Sequence, residues 1–153
     1  MKKHALLPIL LSALLLFCGC TGGNTNIEPS ELADQLVKKF HVTKVGALSE
    51  DLIGERYGLD TGELEAWDVR EGESDEEVIL IAVVKVKEQS DAAQAEQSLR
   101  EGALAFAERF ASASAEQYAL ARSPATAQSG PYVFLAAGKD AAQMVEEFER
   151  LTR

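Results

Sequence analysis

The run Val78-Ile79-Leu80-Ile81-Ala82-Val83-Val84-Lys85-Val86-Lys87 limits what this chain can become more than any other stretch. It is rich in β-branched residues and holds neither Gly nor Pro, which is the composition of a strand. Because side chains alternate across a strand, Val78, Leu80, Ala82, Val84 and Val86 share one face. Ile79, Ile81 and Val83 occupy the other before it turns polar at Lys85 and Lys87. Such a strand is buried on one side throughout and on both sides for half its length, so the chain must fold around it.

The neighbouring segments supply the rest of an α+β domain. Ala66 to Arg70 alternates weakly, and the acidic run Glu71 to Glu77 then reads as the polar, Gly-containing turn of a β-hairpin. Ser90-Asp91 opens a long helix with Leu99, Ala103, Phe106 and Phe110 on one stripe, ended near Ser123-Pro124 because proline lacks an amide donor. Ala125 to Gln128 and Pro131 to Ala137, joined at Ser129-Gly130, form a second hairpin, and Asp140 opens a closing helix with Met144, Val145, Phe148 and Leu151 inward. Upstream, Pro29 sits in the first turn of a helix over 29–40 whose inner face is Leu32, Leu36, Val37 and Phe40. A turn near Gly46 follows, then a short helix capped by Ser49 and stopped at Gly58. The expected fold is a four-stranded, mainly antiparallel sheet with helices packed mostly on one face. Ser90-Asp91-Ala92-Ala93-Gln94 echoes Lys139-Asp140-Ala141-Ala142-Gln143 after the other hairpin, so a duplicated ββα unit is one reading and convergent capping the other.

Ahead of this domain stand Lys2 and Lys3 and the apolar run Ala5 to Phe17, a basic n-region and an h-region of secretory length. A membrane span would need roughly 20 apolar residues, and the run ends sooner, at Cys18-Gly19-Cys20. The boundary Phe17-Cys18-Gly19-Cys20 resembles a bacterial lipobox: Gly19 is the small residue beside the cut and Cys20 the acceptor of a diacylglyceryl thioether. Phe17 stands where Leu is usual, and Cys18 where Ala or Ser is usual. The rival reading of Cys18 and Cys20 as a zinc or redox pair lacks ligands, since the only histidines are His4 and His41. The organisation expected is therefore a signal peptide over 1–19, a lipidated cysteine and tether over 20–28, and a single α+β domain over 29–153. The partner so implied is the lipid bilayer, reached through Cys20 on the extracytoplasmic face of the bacterial cell membrane, because two acyl chains anchor stably where one does not.

Charge excludes some partners. The chain carries 25 Asp plus Glu against 15 Lys plus Arg, and loss of the signal would remove Lys2 and Lys3 but no acid. Nucleic acids and anionic head groups are bound by Lys and Arg neutralising phosphates, so neither is an expected partner.

No motif promises catalysis. There is no Gly-x-Ser-x-Gly elbow, no His-Glu-x-x-His pair and no phosphate-cradling glycine loop, and His41 reads as a helix-end histidine. The Glu71 to Glu77 run lacks the spacing of a calcium loop and reads as a solvated turn. Arg109 and Arg122 read as partners of neighbouring glutamates, with anion contact the alternative. No catalytic residue, metal or cofactor is expected. The candidate partner surface is the second sheet face, Ile79, Ile81 and Val83 with Tyr132 and Phe134, with Tyr57 and Trp67 as aromatic anchors at its edge. Against that stands the favoured alternative, that the N-terminal helix covers this face with Leu36, Val37 and Phe40. Were the face open, charge at Trp67 or Ile81 would abolish partner capture and leave the fold intact.

The succession of lipobox, tether, two small helices ending in Tyr57-Gly58-Leu59-Asp60, the strand from Glu77 to Val86, a long helix and Gly130-Pro131-Tyr132-Val133 resembles the small bacterial lipoproteins catalogued as domain of unknown function 4358. The resemblance covers about residues 30 to 151, with Pro131 where such chains more often carry Asn. It implies a bacterial, surface-anchored domain and brings no catalytic residues. The function expected is a non-enzymatic binding or accessory module of the envelope. The alternatives are an envelope enzyme working through carboxylates and a regulatory subunit of an integral membrane protein.

Overall fold

A computed structural model describes residues 26–153. The expected signal peptide, Cys20 and the expected tether as far as residue 25 lie outside the described residues. Among those described, five strands form one open antiparallel sheet and five α-helices pack against it. The chain runs α1 (Pro29–Lys39), β1 (Val45–Ala47), α2 (Glu50–Tyr57), β2 (Leu64–Gly72), β3 (Leu80–Val86), α3 (Ala92–Ala107), α4 (Ala115–Ala121), β4 (Ala125–Ser129), β5 (Tyr132–Ala137) and α5 (Ala141–Leu151). Across the sheet the order is β1-β2-β3-β5-β4.

The apolar run is the central strand, and every residue of β3 is buried. Its two faces feed two separate cores. Leu80, Ala82, Val84 and Val86 meet Leu99, Ala103, Phe106 and Phe110 of the α3 segment, with Ile53 and Tyr57 of α2. Ile81 and Val83 meet Leu32, Ala33 and Leu36 of α1 and Met144 and Phe148 of α5, joined by Tyr132, Phe134 and Ala136 of β5. The rings of Phe134 and Phe148 stack with centroids 4.8 Å apart, an arrangement worth about 1 kcal/mol beyond its burial.

Four expectations need correction. The sheet has five strands rather than four, because Val45-Gly46-Ala47, read as a turn, pairs with Gly72, Glu71 and Arg70 at the free edge of β2. Three residues carry no alternation of their own, so only the waiting edge makes them a strand. Helices cover both faces rather than mostly one. The long helix ends at Ala107, and α4 starts anew where the Ser114 hydroxyl accepts from the Gln117 amide at 3.1 Å. An Ala-rich sequence keeps helix propensity through that break, but Phe110, 1 % exposed, is drawn into the core. Finally, the two ββα segments are not one unit repeated. The antiparallel pairing of β3 with β5 permits exchange of the two hairpins only about an axis normal to the sheet, which would leave α3 and α5 on the same face. They lie on opposite faces, and the shared Asp-Ala-Ala-Gln is a common way of starting a helix.

Polar contacts tie the helices to the sheet and to one another. Glu96 of α3 accepts from Thr126 Oγ1 at 2.9 Å and Gln128 Nε2 at 2.7 Å on edge strand β4. On the other side, Arg70 of β2 grips Asp68 with both Nε and Nη2 and reaches Asp34 of α1 at 2.8 Å. Glu147 of α5, 7 % exposed, accepts from Arg150 at 2.8 and 2.6 Å and from Lys39 of α1. The Arg150 hydrogen bonds, with Lys39 behind them, outweigh burial and hold the Glu147 carboxyl down at about 2. A depressed carboxyl stabilises the fold above its unfolded value and loses that contribution as pH falls through the folded one. Wild type is therefore expected to exceed Glu147→Gln by about 1–2 kcal/mol at neutral pH, the two converging as pH falls from about 4.5 towards 2. Urea midpoints across that range are the check, and a gap independent of pH would contradict it.

Candidate functional site

Glu71 was expected in a solvated turn, yet it is 6 % exposed. Its place follows from strand period: Trp67, Val69 and Glu71 pair with Val84, Ala82 and Leu80, so Glu71 lies on the α3 face. A carboxylate taken out of water needs donors, and three reach it. Tyr57, the last residue of α2, gives its hydroxyl hydrogen to Oε1 at 2.9 Å. Arg56 Nη1 donates to Oε2 at 2.7 Å, and Arg109 Nη1 to the same oxygen at 3.0 Å. Arg109 spends Nε and Nη2 on Asp75 Oδ1 at 3.1 and 2.7 Å, and its guanidinium lies 5.2 Å from the Phe106 ring centroid. Burial first, then the charge of Glu71, pushes the Tyr57 hydroxyl far above its ordinary value, so it stays a neutral donor at any working pH.

Local structure explains how these groups converge. Gly58, in the left-handed conformation at φ 62°, ends α2 and donates to the Gly54 carbonyl. Leu59 then enters the core, and Asp60 accepts from the Gly62 amide at 2.8 Å to lead the chain into β2. Tyr57 can lie flat on α3 only because residue 102 is glycine: a Cβ there would stand 2.3 Å from Tyr57 Cδ1 and 2.8 Å from Tyr57 Cα. In Tyr57-Gly58-Leu59-Asp60, each residue thus has a visible structural task.

In front of Glu71 opens a cleft of about 600 Å³, bordered by Gly46, Ala47 and Leu48, by Glu55 and Arg56, and by Ala105, Phe106 and Arg109 of the α3 segment. Gly46 is paired beside Glu71 and has nothing within 4 Å of where a Cβ would stand, so its missing side chain is what leaves that wall open. The rim is wet and carries charge of both signs, with Arg56 45 % and Arg109 35 % exposed beside the exposed Glu55. The acidic loop is strapped down beside it, Asp75 by Arg109 and Glu77 by Lys139 at 2.8 Å. Among the described residues no group of three or more His, Cys, Asp or Glu is placed to hold a metal ion.

The other residues singled out in the sequence do not form a surface. Ile81, Val83, Tyr132 and Phe134 are fully buried under α1 and α5. Leu32, Ala33 and Leu36 cover them, with Val37 and Phe40 only partly buried. Tyr57 and Trp67 belong to the opposite core, not to the edge of that face. Ile79 is half-buried and borders a smaller cavity of about 170 Å³ beside the exposed His41. No local pattern joins Arg56 to Glu71, because 15 residues separate them, although the alternation from Trp67 through Val69 extends to Glu71.

Fold and site together define an open-sheet α+β domain, covered on both faces, with a cleft built around a neutralised buried acid. The model of a domain of unknown function, DUF4358, matches residues 38–138, and the chain belongs to that family. The match runs from the end of α1 through β5, shorter than the span expected from the sequence, and leaves α5 and most of α1 outside it. No curated protein and no solved structure matches the chain.

Proposed function

We propose that this protein is a lipid-anchored, extracytoplasmic binding module of the bacterial envelope, held by Cys20 and working through the Glu71 cleft. The observation that carries the anchor is the basic and apolar leader ending in Phe17-Cys18-Gly19-Cys20. Among the described residues no helix is long and apolar enough to cross a membrane. The chain enters the domain at Ile27, whose carbonyl accepts from the Tyr132 hydroxyl at 2.7 Å. Tyr132 begins β5 and faces Lys85 near the end of β3, whereas Glu71 faces Leu80 at the start of β3. The chain therefore enters the domain at the end of the sheet opposite the cleft, which supports a site held away from the bilayer.

A binding role is favoured over acid–base chemistry because Tyr57, Arg56 and Arg109 fill three of the buried acid's about four acceptor positions, both arginines closing Oε2. A general base needs a free lone pair aimed at its substrate. Replacing Cys20 by Ser is expected to move the protein from the membrane fraction to the soluble one, or to leave an uncleaved precursor in the membrane. Mass spectrometry of the native protein should find Cys20 carrying diacylglycerol at a new N-terminus. An unmodified Cys20 would sink the proposal.

A further inference from the structure

Resting on the binding reading of the Glu71 cleft, we infer that its ligand is a small amphipathic monocarboxylate, its acid group on Arg56 and its apolar body over Leu48, Ala105 and Phe106. The donor inventory picks out Arg56. A guanidinium has five N–H groups, and only the Nη1 bond to Glu71 occupies it among the described residues. Arg109, by contrast, has Nη1 on Glu71 and both Nε and Nη2 on Asp75, which leaves little to offer. Arg56 is thus a permanently charged fork on the cleft rim, held at one corner and open at the others, which suits a planar carboxylate.

Charge limits the ligand further. Glu71 and Glu55 on the lining balance Arg56 and Arg109, and Asp75 stands just behind Arg109. Glu55 makes no bond to Arg56 in the structure, so it is a separate negative charge that penalises a second one on the ligand. A monoanion fits where a phosphate dianion meets repulsion. The volume of about 600 Å³ is that of a small-molecule site, and Leu48, Ala105 and Phe106 give its wall an apolar part beside the arginines.

The full chain, or the mature protein released with detergent, is titrated with phenylbutyrate and with phenylbutyramide while backbone amide shifts are followed by NMR. The acid is expected to give saturable shifts centred on Leu48, Ala105 and Phe106, with the amide binding at least about tenfold more weakly. Arg56→Gln should reduce binding of the acid to the level of the amide. Gly46→Leu, which places a side chain in the open wall without a backbone clash, should abolish binding of both. Arg122→Gln, outside the cleft, should change nothing. Equal binding of acid and amide, unchanged affinity in Gly46→Leu, or no saturable shift with the acid would each overturn the inference. Should Gly46→Leu fail to fold, Arg56→Gln still decides it. None of these results depends on Cys20, so the anchor stands or falls separately.

Discussion

Gly102→Ala is expected to destabilise the domain by about 3 kcal/mol, even though alanine is the better helix former by about 1 kcal/mol. The new methyl group would lie 2.3 Å from the Tyr57 ring and 2.8 Å from the Tyr57 Cα. The ring cannot swing aside cheaply, because its hydroxyl is bound to Glu71 and the second contact is backbone. Relief requires α2 to lift from α3, which takes Tyr57 and Arg56 away from Glu71 and leaves a buried carboxylate short of donors. Gly54→Ala in α2 is the matched control. Its Cβ would meet only the Leu59 carbonyl at 3.7 Å, ordinary contact, so the propensity gain should appear as about 0.5–1 kcal/mol of added stability. Urea denaturation of both variants measures the contrast, and a stabilised Gly102→Ala would mean that α2 and α3 do not meet in this way.

Ile81→Asp is expected to abolish folding, the reverse of what an open sheet face would allow. Ile81 is fully buried in the central strand, under α1. The change removes an apolar side chain worth about 2–3 kcal/mol and puts a carboxylate into the space, at a further cost of several kcal/mol. Rescue by Arg70, paired across from it on β2, is blocked because that guanidinium already serves Asp68 and Asp34. The sum is comparable with the whole stability of an ordinary domain, about 5–15 kcal/mol. Circular dichroism should show no cooperative melt. Ile79→Asp, at a half-buried position before the strand, should remain folded. A soluble Ile81→Asp melting like wild type would mean that α1 does not cover this face.

Where a feature depends on neighbours in sequence, it could be read directly. The β3 run, the Gly58 stop, the Ser129-Gly130 turn and the inward stripe of α5 all rest on periodicity or on one residue's backbone freedom, and each stands where it was expected. The edge strand β1 did not announce itself, because Val45-Gly46-Ala47 becomes a strand only by meeting β2. Nor did the break after Ala107, where local propensity favours helix and the burial of Phe110 overrides it.

The cleft shows the same division more sharply. The chain by itself determined an apolar central strand, two hairpins each followed by a helix and an acidic surface. Only the tertiary structure decided that α1 and α5 close one side of the sheet while α2 and α3 close the other. That choice turned the candidate partner face into core and brought Gly46, Arg56, Glu71 and Arg109 around one opening. The physical reason is that alternation and helix period specify which residues turn inward, whereas the identity of what they meet depends on strand order and on which sheet face each helix occupies. Those are set by the packing of the whole domain, and no local window contains them.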